Sequence, residues 1–303
     1  MEKPAIAAAK PAPTIDPFHH GSDSPAFELF ESMHPDTFLH GIKLPKIGDF
    51  QITKFHILLA VAAAIVAASL IWLGRKMKSG DTPRGILWNM LESLLFFVRD
   101  NIARPGIGEH DGDKYVPFLT TTFFFILTCN LLGMIPFLGS PTASIAVTAA
   151  LALISFVVTH ATGIKEHGLG GYFNAAFVPH ISLEGMPPAL KFIMSVTLIP
   201  MIFVLEVMTP FIRLFVLAVR LFANLLAGHA ALYVMLVFIQ MVSKPNWLAY
   251  NEASPNLYYL VAPLSTLLVT VMSLLELLVA GLQAFIFTLL TAIFIGLAKH
   301  PAH

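Results

Sequence analysis

The chain has 303 residues, 56% hydrophobic and only 12% charged, with 25 phenylalanines. A soluble domain carries about twice that charged share, so the composition excludes an ordinary soluble globular protein. The formal net charge of zero gives no global case for nucleic-acid binding, and the single cysteine, Cys129, can form no internal disulfide.

Residues 1–50 are polar, hold seven of the 18 acidic residues and are biased toward Ala and Pro. They read as a flexible N-terminal tail with no apolar signal core. The membrane domain is expected over 51–303. Its first span is FHILLAVAAAIVAASLIWLG, 55–74, followed at once by RKMK. Residues 82–104 read as an amphipathic surface helix, with Thr82 as N-cap and Pro83 at the first helical position. Asn89, Glu92, Ser93, Arg99 and Asp100 fall on one side of it, which suits a helix lying at the membrane surface. A polar loop, GIGEHDGDK, then leads to a second span at 115–137, and a third covers 142–163 and ends at Lys165.

The last hundred residues hold two long apolar runs, 191–242 and 258–298. Between Lys191 and Lys244 the only formal charges are Glu206, Arg213 and Arg220, and Glu276 is the sole charge in the second run. From Leu264 to Ala298 there is no proline, so a single helix of about 50 Å is expected against a hydrocarbon core of about 30 Å. The fold class is therefore an all-α membrane protein of about five transmembrane helices, the last two long and steeply tilted. The basic residues after the first span, with Lys165 and Lys299, lean toward an external N-terminus and a cytoplasmic C-terminus.

At 100° per residue, Thr209 and Arg213 lie within about 20° of Arg220 on one helix face, and Glu206 and Asn224 within about 40°. Ala227 and Ala231 share that face and Ala223 borders it, and small residues let another helix approach closely. His229 points about 180° away, toward a different neighbour. Glu276 and Gln283, seven apart, share a face with Ala280 between them. Arg213 reads as a snorkelling charge if the helix breaks near Pro210. Arg220 stays about two turns deeper, and a central arginine costs at least ~2.5–3.5 kcal/mol, so a functional role is the default for it. GLGG at 168–171 is a loop signal and not a phosphate cradle. No metal-ligand spacing stands out, no cofactor is indicated, and no nucleophile sits with a base.

RLFANLLAGH (220–229) resembles the Arg-Leu-Phe-x-Asn-x-x-Ala-Gly signature of subunit a of F-type ATP synthases. ELLVAGLQAFIFTLLT (276–291) resembles the final helix of that family, NLLGMIPF (130–137) its second span, and GIKEHGLGGYF the loop after the third. The resemblance covers roughly 55–300. It implies a non-catalytic, ion-translocating stator subunit of a multi-pass kind, in the bacterial inner membrane. Its partners would be a rotating c-ring, peripheral-stalk b subunits, the rest of the complex and membrane lipid. It also implies that Arg220 takes the place of the family's indispensable arginine, facing a ring carboxyl and preventing a short-circuit between two aqueous half-channels. Glu206, Asn224, His229, Glu276 and Gln283 are then the polar groups of those half-channels, with Glu276 and His229 at the external inlet. The family often has glutamate where His229 stands and histidine where Glu276 stands, so the two are expected to be neighbours. Gly133 stands where some members carry aspartate. The competing reading is a secondary transporter binding an anionic substrate at Arg220, but such folds show repeated halves and no second copy of the arginine motif is present.

Overall fold

The computed structural model describes residues 53–78, 85–135, 141–177, 199–243 and 255–300, residue 197, and four two-residue strands upstream. The side chains of Glu206, Asn224 and His229, and those from 231 to 262, lie outside the described set. The upstream strands form two antiparallel pairs, β1 (Ala26–Phe27) with β2 (Ile42–Lys43) and β3 (Lys46–Ile47) with β4 (Phe50–Gln51). The rest of the proposed tail lies outside the described residues.

Among the described residues, the chain downstream is helical apart from short turns. The elements are α1 (Lys54–Lys78), α2 (Ile86–Val98), α3 (Arg104–Ile107), α4 (Glu109–Gly133), α5 (Ile145–Phe177), α6 (Ile199–Ser243) and α7 (Pro255–Lys299). Five of these (α1, α4, α5, α6 and α7) are long and apolar enough to cross a membrane. The five expected spans are therefore present. α1 ends in Arg75, Lys76 and Lys78, cations placed where a helix C-terminus favours them.

Three boundaries differ from the sequence reading. The surface helix starts at Ile86, capped by Gly85 at φ 108°, and not at Pro83; residues 82–84 lie outside the described set. At 13 residues α2 is about 20 Å long, too short to cross. Second, the polar stretch from Glu109 is not a loop but the first turns of α4, after a break at Gly108 with φ 121°. Glu109 and Asp111 sit in the first turn, where the N-terminal end of a helix favours negative charge. Third, α5 runs on past Lys165 but is interrupted at Gly168, whose φ of 70° and ψ of 165° only glycine takes up at low cost. That break is what the GLGG signal marked.

Between α2 and α3 the helix widens into a π-turn, Arg99–Ala103. Positions five apart lie about 140° apart on a regular helix, and the wider turn swings Arg99 and Arg104 toward the same side. Both reach Asp113, at 3.0 and 3.3 Å. α3 then presses backbone to backbone on the end of α7. A methyl at Gly106 would meet the Ala292 Cβ at 2.9 Å, and one at Gly296 would collide with the Gly106 carbonyl. This crossing exists because both positions lack side chains.

The long helices hold a consistent register. Lys299 of α7 meets Asp111 of α4 at 2.6 Å, and about 28 Å further along both helices Asn130 Nδ2 donates to the Ala280 carbonyl at 3.1 Å. α4 is thus antiparallel to α7. α5 runs parallel to α7, since Ser155 and Thr291 hydroxyls bond at 2.8 Å and His167 Nε2 meets the Lys299 carbonyl at 2.9 Å. The core between them is built from Ile102, Leu119, Ile126, Phe287 and Ile295, each with almost no exposed surface.

Candidate functional site

α6 and α7 form the wall that carries the candidate residues. Arg213 lies over the Phe294 ring at 5.0 Å, and Gly228 lies against Glu276. The two helices are therefore antiparallel, and interpolation between these contacts sets Arg220 opposite residues 284–287, one turn from Gln283. Leu217, Ala218 and Leu221 turn inward and are buried. Arg220 turns outward and is exposed, next to the exposed small residues Ala223 and Ala227. Around it on α6, Phe211, Ile212, Arg213, Phe215 and Val216 are exposed as well, so Arg213 is a second exposed cation two turns away. No described residue pairs with the Arg220 guanidinium.

The polar face of α7 points the other way. Glu276, Ala280 and Gln283 are 9%, 3% and 4% exposed, turned into the bundle. A methyl at Gly228 would stand 3.1 Å from Glu276 Oε1. A side chain at 228 would therefore crowd the carboxylate, and glycine leaves the room it occupies. The chain position adjoining His229 is thus at Glu276, although the His229 side chain lies outside the described set, as do those of Glu206 and Asn224. The Gln283 Nε2 amide is buried with no protein partner among the described residues. A buried amide with no protein acceptor is a site for ordered water.

Sequence reasoning missed several polar groups at this wall. Asn130, in the NLLGMIPF stretch, ties three elements together. Besides its bond to Ala280 it accepts a hydrogen bond from Thr142 Oγ1 at 2.9 Å. Gly133, one turn on, is buried. His160 Nδ1 and Tyr172 Oη are 2.6 Å apart. On one unbroken helix these two would lie about 18 Å apart and 120° round, so no periodicity announces the pair. The break at Gly168 folds Tyr172 back, and its ring occupies the space a side chain at Gly163 would fill.

The family model described as ATP synthase A chain matches residues 56–296. The chain is 38% identical over 268 residues to the ATP synthase subunit a of Myxococcus xanthus (strain DK1622), an alignment covering 87% of this chain and 79% of that one. It is 37% identical over 297 residues to the ATP synthase subunit a of Chloroherpeton thalassium (strain ATCC 35110 / GB-78), covering 95% and 78%. With the ATP synthase subunit a 2 of Chlorobaculum tepidum (strain ATCC 49652 / DSM 12025 / NBRC 103806 / TLS) it shares 34% identity over 308 aligned positions, covering 99% and 78%. The matched stretch takes in nearly all of the five membrane-length helices among the described residues, together with Arg220, Glu276 and Gln283. The chain belongs to the ATP synthase A chain family, the family of subunit a.

Proposed function

We propose that this chain is the stator subunit of a proton-translocating ATP synthase membrane sector, and that Arg220 faces the carboxyl-bearing helices of a rotating ring. The observation that carries this reading is an exposed guanidinium with no partner among the described residues, on a helix long and apolar enough to cross a membrane and beside the small residues Ala223 and Ala227. A charge facing lipid there is costly, so the face calls for a partner that brings negative charge. Small residues at 223 and 227 let that partner come close.

The mechanism follows from electrostatics. A protonated carboxyl can travel through lipid, whereas a bare carboxylate there is very costly. Beside Arg220 the ionised form is favoured by the opposite charge. Each arriving ring carboxyl gives up its proton into one aqueous half-channel and is reloaded from the other after it passes. The fixed cation keeps protons from running straight between the two. Glu276 and His229 line the external inlet, and Glu206, Asn224 and Gln283 are further polar groups of the two routes. The buried Gln283 amide supports a water-bearing path close to the arginine.

The apolar part of α7 alone, 37 residues, is about 55 Å long, so it must incline or bend to stay within a core of about 30 Å. An inclined α6–α7 pair suits the curved wall of a ring. Cations gather where α1 and α7 end (Arg75, Lys76, Lys78 and Lys299), which supports a cytoplasmic C-terminus and an external N-terminus. The setting is a bacterial inner membrane, with peripheral-stalk b subunits as further partners.

The test is Arg220→Ala in the assembled complex, in inverted membrane vesicles. ATP-driven proton pumping should vanish while ATP hydrolysis by the catalytic head continues. Pumping at the wild-type rate would overturn the assignment.

A further inference from the structure

The His160–Tyr172 pair is a polar device that the account so far leaves unused. His160 lies within a membrane-length helix, about 12 Å along α5 from the break at Gly168. The construction of the pair is specific. The chain reverses at Gly168, Gly163 makes room for the Tyr172 ring, and the hydroxyl closes on His160 Nδ1 at 2.6 Å. Phe156 packs on the His160 ring with centroids 4.1 Å apart, and Phe156 in turn meets Phe211 of α6 at 5.9 Å. Tyr172 is also within electrostatic reach of Arg213, which is exposed on the same stripe of α6 as Arg220, two turns nearer the Lys299 end. The pair therefore stands directly behind the surface that meets the ring.

We propose that His160 and Tyr172 form a proton relay in the half-channel that opens at the Lys299 end of the bundle. Imidazole is suited to this because one ring nitrogen accepts a proton while the other releases one, and a phenol hydroxyl both accepts and donates. A proton taken up at Nε2 sends the Nδ1 proton to the Tyr172 oxygen, whose own proton passes to the next water toward the ring carboxyl. Reorientation of the pair restores its starting state, so nothing is consumed. Arg213 is the positioning group here. Held over the Phe294 ring, it sets a positive charge within electrostatic reach of Tyr172 on the ring-facing side of the pair. The other charged or titratable groups toward this bundle end are Lys165, Glu166 and His167 of α5, Asp111, Lys114 and Tyr115 of α4, Lys299 of α7, and His300.

The inference rests on the stator reading, and the experiment separates the two. In inverted vesicles carrying the full complex, the Lys299 end faces the medium, and ATP-driven pumping draws its protons through this route. The initial pumping rate is measured between medium pH 6 and 9 for wild type, Tyr172→Phe, His160→Gln and Arg220→Ala. Tyr172→Phe keeps the ring seated on Gly163 and removes only the hydroxyl, so the complex should assemble at wild-type levels. Both relay variants should pump almost normally at pH 6.5, where protons are plentiful. At pH 8.5 they should be slower by about a hundredfold, the low end of what a positioned proton-transfer group contributes. A purely structural pair would lower pumping equally at every pH, and that result, or wild-type profiles in both variants, overturns the relay. If Arg220→Ala is pump-dead while the relay variants are normal, only the relay fails. If Arg220→Ala pumps, the stator reading fails first.

Discussion

The guanidinium of Arg220 does its work only if its charge cannot be removed. Arg220→Lys is expected to lose coupled pumping as Arg220→Ala does, because a lysine ammonium in a dry site can shed its proton and has no planar fork. Pumping and hydrolysis compared in the same vesicles check this, and a lysine variant that pumps at half the wild-type rate or better contradicts it. Gly228 makes a second prediction. An alanine there meets Glu276 Oε1 at 3.1 Å, which a small shift of the carboxylate relieves, whereas a valine drives the carboxylate away. Gly228→Ala should therefore slow pumping mildly and Gly228→Val severely, with the subunit present at wild-type amounts in both. Equal rates for the two would show that the Glu276 carboxylate is not placed by this contact.

Where helices meet, the decisive residues are those that do without side chains. Gly296→Val would push α3 off the end of α7 at its contact with Gly106, an overpacking change of the kind that costs about 1–3 kcal/mol. The expected outcome is a lower melting temperature of the detergent-solubilised complex, while Gly281→Ala, with open space around it, should leave it unchanged. The contrast also shows what a sequence discloses. Five long apolar stretches announced five crossing helices, because length and hydropathy are properties of a segment by itself. The early start of α4 was hidden, because GIGEHDGDK looks like a loop until Asp111 and Asp113 find Lys299, Arg99 and Arg104. Thr82 and Pro83 offered a good cap that Gly85 supplanted. Arg220 stood out from its surroundings in the sequence. The His160–Tyr172 pair did not, since a chain reversal creates a neighbourhood that no helical period encodes.

At the scale of the molecule, one ionic cluster fastens the ends of three helices. Lys299 is buried but for 6% of its side chain and bonds Asp111 at 2.6 Å, with Glu166 at 3.9 Å and Lys114 completing the group. Asp111→Asn would strand that ammonium against one distant carboxylate, and removing one partner of a buried pair is the damaging step. It should lower thermal stability of the complex more than His300→Ala, whose ring is 64% exposed and 3.7 Å from Asp111. A larger loss from the histidine change would show that the cluster is ornamental. The outward-facing Arg220 has a consequence for the life history of the chain. Newly inserted and alone, a copy would leave that cation facing acyl chains, dragging water and headgroups into the bilayer around it. Such a copy invites membrane proteases, so cells should stabilise it only once its rotor is on hand. A pulse-chase lifetime that lengthens on co-expression of the ring protein, and does so less for Arg220→Leu, would reveal that dependence.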